Sequence, residues 1–146
     1  MDGSNPPQGD RSGEAGMAPV RAILEAVSAA FSNSAQIVVT CDPDLELPAV
    51  QVALLGRIAA EGVTNAIRHA FPDGRERRIW IKCEEERGRI RLSVRDNGIG
   101  ISDFDDRAGA GHGLLEEAAR QLGGVARMGS AAFGGGELAL VFPRPA

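Results

Sequence analysis

Residues 78–100 read RIWIKCEEERGRIRLSVRDNGIG, and this stretch decides the fold. Ile79, Ile81 and Cys83 alternate with Arg78, Trp80 and Lys82. After the turn at Arg87-Gly88, Ile90, Leu92 and Val94 alternate with Arg91, Ser93 and Arg95. Period two on both sides of a short turn predicts a β-hairpin with one apolar and one wet face. An apolar face left open to water is unstable, so other elements must cover it.

The flanking sequence supplies them. Upstream, Gln36 to Cys41 is a β-branched run closed by the turn-rich Asp42-Pro43-Asp44. Downstream, Val125 to Met128 and Leu138 to Phe142 predict a last hairpin around a loop of small residues. Between Ala18 and Phe31, Val20, Ile23, Leu24, Val27, Ala30 and Phe31 recur at helical spacing. A second helix takes Pro48 early and carries Leu54, Leu55, Ile58, Ala59, Gly62, Val63, Ala66 and Ile67 down to about Ala70, where Phe71-Pro72-Asp73-Gly74 stops it. A third runs from about Leu114 to Leu122 and breaks at Gly123-Gly124. The expected fold is α+β: a two-layer sandwich with a mixed, mostly antiparallel sheet and about three helices on one face.

Composition narrows the function. The 146 residues suit a single domain, with 43% hydrophobic and 25% charged residues. Residues 1–16 hold almost nothing apolar and read as a disordered leader ahead of a domain spanning 17–146. A formal charge of −4 argues against nucleic acid as a partner. No apolar run reaches the ~20 residues of a membrane span, and no signal peptide opens the chain. Cys41 and Cys83 lack metal-ligand spacing and read as buried, reduced thiols of a cytoplasmic protein.

Three stretches carry chemistry. Glu61, Asn65 and His69 are spaced i, i+4, i+8, so one helical stripe presents a carboxylate, an amide and an imidazole. Asp96-Asn97-Gly98-Ile99-Gly100 closes the second hairpin strand; a carboxylate there accepts the amine of a flat base, and side-chain-free Gly98 and Gly100 let a ring approach the backbone. Gly109-Ala110-Gly111-His112-Gly113 runs into the third helix, where free N–H groups and the positive dipole end favour phosphate. It is neither a P-loop, lacking Gly-Lys-Ser/Thr, nor a dinucleotide fingerprint, lacking the preceding strand of a βαβ unit. Singly, these stretches read equally as a solvated face, a capped turn and a linker.

Their order and spacing are specific. EGVTNAIRHA, then DNGIGI, then GAGHGLLEEAARQLGG resembles the asparagine box and two glycine boxes of the GHKL ATPases, the superfamily of gyrase, heat-shock chaperones, histidine kinases and mismatch-repair proteins. Within it, the Gly-His-Gly-Leu and Leu-Gly-Gly segments resemble the catalytic domain of bacterial sensor histidine kinases over about Leu45 to Pro143. The resemblance implies a Bergerat-type ATP-binding fold with ATP and Mg²⁺ as cofactors. It implies that Asn65 holds Mg²⁺ at the phosphates, that Glu61 positions or deprotonates the attacking group, and that His69 sits near the phosphates. Asp96 would read the adenine amine beside Gly98 and Gly100. Gly109, Gly111, Gly113 and Leu114 would form the lid and phosphate segment, with His112 either on phosphate or a solvent-exposed lid residue.

Two departures bear on function. Gly136 stands where many relatives carry a Thr beside adenine. The only histidines, His69 and His112, are followed by Ala70 and Gly113 rather than by an acidic residue, and the first 45 residues hold one helix rather than a dimerising hairpin. The implied activity is transfer of the ATP γ-phosphate to a histidine on a dimerisation domain outside this chain, within a response-regulator pathway. The alternatives are a free-standing serine kinase resembling the anti-sigma factors, and a non-catalytic ATP-binding module.

Overall fold

The structure, a computed structural model, describes residues 16–69, 76–98, 107–130 and 134–145. Residues 1–15 of the expected leader, the 71–74 stop signal, Ile99 and Gly100 lie outside the described residues, as do the side chains of His69 and His112.

The hairpin of residues 78–96 is the centre of the sheet. Strand β4 (Arg78–Glu86) and β5 (Arg89–Asp96) pair antiparallel from Ile79↔Asp96 to Glu86↔Arg89. The two loop residues, Arg87 at φ 56° and Gly88 at φ 77°, both take the left-handed region that a two-residue hairpin demands. Strand β7 (Gly136–Pro143) adds antiparallel to β5, and β6 (Val125–Ser130) closes that side. On the other side β2 (Gln36–Cys41) runs parallel to β4, giving the order β2-β4-β5-β7-β6. A parallel pair needs a long crossover, and the chain between β2 and β4 makes it through a helix.

Three helices lie on one face: α1 (Val20–Ala30), α2 (Ala49–His69) and α3 (Arg107–Leu122). Helix α1 packs on β2, α2 on β5 and β4, and α3 on β6 and β7. Leu24, Leu55, Ile58 and Leu115 meet Ile79, Ile81, Ile90, Leu92, Leu140 and Phe142 in one core, each no more than 1% exposed. The expected two-layer α+β sandwich is therefore the observed one. Helix α3 ends as its glycines predict. Gly123 takes φ 70°, its N–H donates to the Arg120 carbonyl at 3.2 Å, and the Gly124 N–H donates to Ala119 at 2.8 Å, a Schellman closure.

Three local expectations change, the places of Ala18 and Pro48 and the start of the third helix. Ala18 is not helical: β1 (Met17–Pro19) pairs antiparallel with β3 (Glu46–Pro48) in a separate two-stranded sheet, so Pro48 ends a strand and α2 starts one residue later. Three-residue strands are too short to show a period. Helix α3 begins at Arg107, not Leu114, so Gly109 to Gly113 lie inside its first turns. No proline or β-branched residue interrupts 107–114, and each glycine costs only about 1 kcal/mol in a helix. Ser93 faces outward as expected yet is only 9% exposed, sunk between longer neighbours. Cys41 and Cys83 are free, buried and register partners on β2 and β4. Their hydrogen bond lowers the Cys41 thiol, and that bond with burial pushes Cys83 far up.

Candidate nucleotide site

Helix α2 reaches the sheet where its side chain vanishes. A Cβ on Gly62 would sit 3.1 Å from Val94, so the helix backbone lies close over β5. One turn on, Asn65 is turned inward and is 8% exposed. Its amide nitrogen is buried and meets no hydrogen-bond partner among the described residues. A buried polar atom left unpaired costs about 1–3 kcal/mol, a cost that a ligand bound here would relieve. Glu61, one turn earlier, is half-buried and open to approach.

Asp96 ends β5 on the same, helix-covered face as Val94 and is 5% exposed. Its Oδ1 accepts the N–H of Gly98 at 2.8 Å and the N–H of Gly136 at 3.0 Å. Both bonds fall on one oxygen, which leaves Oδ2 to accept from a ligand. Burial pushes this carboxyl above its ordinary range, and the Gly136 and Gly98 bonds pull it partly back.

Two neighbours fix the Asp96 backbone. Asn97 receives the Arg78 N–H on Oδ1 at 2.9 Å and donates from Nδ2 to the Glu76 carbonyl at 3.1 Å, clamping the strand end to the start of β4. Gly135, at φ 79°, packs so closely that a Cβ there would overlap the Asp96 carbonyl oxygen. The depression of about 260 Å³ lined by Trp80, Arg95, Asp96, Asn97, Gly98, Gly134 and Gly135 reaches the outer sheet face. It is therefore the back of this corner rather than the space beside Asn65.

Sequence reasoning placed Asp96 and Asn65 on elements that converge. It missed Gly135 and the Gly136 N–H, for which the only signal was the glycine run 134–136. It also placed the Gly109, Gly111 and Gly113 amides ahead of a helix. In the structure the unpaired N–H groups of α3 belong to its first four residues, Arg107 to Ala110; later ones bond within the helix. Gly113 is exposed, with open space where a Cβ would go, and Leu114 is half-buried. Among the described residues no three His, Cys, Asp or Glu side chains cluster as a metal cage.

Residues 50–145 match the family model of the histidine kinase-, DNA gyrase B- and HSP90-like ATPases. The chain belongs to that family. An anti-sigma F factor from Shouchella clausii is 27% identical over 114 residues, covering 69% of this chain and 75% of that protein. One from Oceanobacillus iheyensis is 26% identical over 72 residues, covering 49% and 47%, so the chain spans about half the length of that relative. The ATP-binding domain of PrrB from Mycobacterium tuberculosis superposes with a TM-score of 0.72 at 18% identity, over 89% of this chain and 97% of that one, a likeness of fold. No helix among the described residues is long and apolar enough to cross a membrane.

Proposed function

We propose that this chain is a cytoplasmic, ATP·Mg²⁺-dependent protein kinase that phosphorylates a serine on a partner protein, in the manner of the anti-sigma factors it resembles. The single observation that carries nucleotide binding is Asp96, whose Oδ1 is filled by two backbone N–H groups while Oδ2 stays free to read an adenine amine. The anti-sigma F relatives support the choice of kinase type.

The residues fit the cofactor. A buried amide without a partner at Asn65, and a β5 end shaped by Gly98, Gly135 and Gly136, are what an adenine nucleotide and its cation would complete. With no carboxylate cage among the described residues, Mg²⁺ would be held by Asn65 together with the phosphates, as this strongly hydrated ion commonly is. Bound ATP supplies the phosphoryl group and Mg²⁺ neutralises its charge. Glu61 orients the attacking hydroxyl and takes its proton. The four N-terminal amides of α3, Arg107 to Ala110, would give the phosphates donors and the positive helix end; a phosphate role for Gly111, His112, Gly113 and Leu114 would require that segment to leave the helix. By the family resemblance, His69 would lie near the phosphates. Gly136 contributes its N–H to Asp96 in place of a Thr hydroxyl to the base.

Histidine phosphorylation is the second reading, favoured by the Gly-His-Gly-Leu and Leu-Gly-Gly segments. Labelled ATP separates the two. Acid-stable label on a partner's serine is the expected result. Acid-labile, base-stable label on a dimerisation-domain histidine would replace the serine reading, and ATP binding without any transfer would leave a binding module.

A further inference from the structure

The sheet face turned away from the helices carries side chains that the nucleotide site does not use, and strand register sets them in rows across the strands. The middle row is Thr40, Lys82, Ser93, Ala139 and Arg127. Its centre is short: Ser93 and Ala139, directly opposite each other, are 9% and 7% exposed. On one side stand Val38, Trp80, Arg95 and Glu137; on the other, Arg91, Val141 and Val125. Ser93 and Ala139, between the larger Arg95 and Glu137 on one side and Arg91 and Val141 on the other, make a shallow trough across β5 and β7, with Lys82 on β4 and Arg127 on β6 at its two ends. At about 4.8 Å per strand the whole middle row, from β2 to β6, is about 19 Å long, the reach of five or six extended residues. At the β6 end it deepens into a depression of about 290 Å³ beside Arg127, Glu137 and Ala139.

The trough is cationic on a chain whose net charge is −4. Lys82 pairs with Glu84 at 3.6 Å and Arg91 with Glu137 at 3.3 Å. Arg95 lies over the Trp80 ring at 5.0 Å, and neither it nor Arg127 has an ion-pair partner among the described residues. Arg95 beside Trp80 and Val38, and Arg127 two residues from exposed Val125, offer carboxylate pairing and apolar contact together. A nucleic acid fits less well, because its phosphate backbone offers no apolar side chains to meet Trp80 and the exposed Val38 and Val125. We infer that the outer sheet face docks an extended acidic segment of a partner protein, on the side of the sheet opposite the nucleotide site.

Trp80 is the only tryptophan, so its emission reads the trough directly. The probe is a capped ten-residue peptide alternating Glu and Leu, titrated into the full chain at low and at physiological salt, with a Lys/Leu peptide as control. The acidic peptide should give a saturable change in Trp80 emission that weakens with salt. The double variant Lys82→Glu/Arg127→Glu, at two exposed positions away from Asp96, should weaken it by at least about tenfold while keeping the parent's ATP-induced rise in melting temperature. That retained rise shows the variant folded. No saturable change, equal response to the basic peptide, or a double variant that binds like the parent overturns the proposal. Duplex DNA competing at lower concentration than the peptide would assign the face to nucleic acid instead. A parent dimer in sedimentation that the double variant abolishes would assign it to a second copy.

Discussion

At the scale of single residues, Asp96 concentrates both the proposed function and its cost. A buried carboxylate whose two hydrogen bonds fall on Oδ1 holds the other oxygen ready at the price of desolvation. Its folded pKa is raised, so its contribution favours the fold below the ordinary value of 3.8 and is lost as pH climbs through the higher folded value. Asp96→Asn keeps an oxygen for Gly98 and Gly136 and removes the charge. We expect the ligand-free variant to melt at or above the parent at pH 7, with the gap closing as pH falls below 4. The same change turns an N–H toward the adenine amine, donor against donor. The variant should lose the ATP-induced stabilisation, about 2.7 kcal/mol at a hundred times the dissociation constant. Since guanine presents a carbonyl at that position, the difference between ATP and GTP shifts should also shrink. A variant that binds ATP like the parent would refute the adenine assignment.

Asn65 and Glu61 divide differently. Asn65→Ala removes the buried, unpaired amide, so the apo fold should survive while ATP binding ceases to depend on Mg²⁺. Glu61→Ala should bind ATP·Mg²⁺ normally and lose transfer by about 10²-fold or more, the usual contribution of a general base. Titration calorimetry with and without Mg²⁺, beside the labelling assay, checks both. Two variants indistinguishable from the parent would reduce the stripe to a solvated face.

At the scale of elements, glycines separate structure from function. Gly135 holds φ 79° against the Asp96 carbonyl, so Gly135→Ala adds backbone strain and a clash. It should cost about 1–3 kcal/mol and abolish the ATP shift, because it displaces the carboxylate. Gly113 sits in α3 with open space around it. Gly113→Ala should raise stability by about 1 kcal/mol through helix propensity, yet weaken ATP binding if the segment must leave its helical form around phosphate. Thermal melts with and without ATP measure both, and equal effects of the two variants would contradict this division. The same elements show what was legible beforehand. The β4–β5 hairpin announces itself because six inward positions, three on each strand, alternate in the same sense. Asp96 stands out because it is charged and ends a strand. β1 and β3 are too short to carry a period, α3's early start runs against glycine propensity, and Gly135 and Gly136 act through backbone atoms that no side chain advertises.

At the scale of the whole molecule, the sheet divides labour between its faces. The helix-covered face buries the core and delivers Asp96; the bare face carries cations and the lone tryptophan. Its order also leaves β2 and β6 at the margins, each paired on one side only among the described residues. β6 is guarded by Arg127, whose charge discourages a further strand. β2 has no such guard. Its six residues, QIVVTC, contain no charge and no proline, and Val38 is 53% exposed. A run of this kind is a template for intermolecular cross-β growth. The consequence is colloidal rather than catalytic: concentrated solutions should lose monomer to fibrillar or amorphous aggregate through this margin. Val38→Lys, a gatekeeper charge at a position with little to lose from the core, should slow the rise of light scattering several-fold at unchanged melting temperature. Parent and variant clouding at the same rate would place the self-association somewhere other than β2.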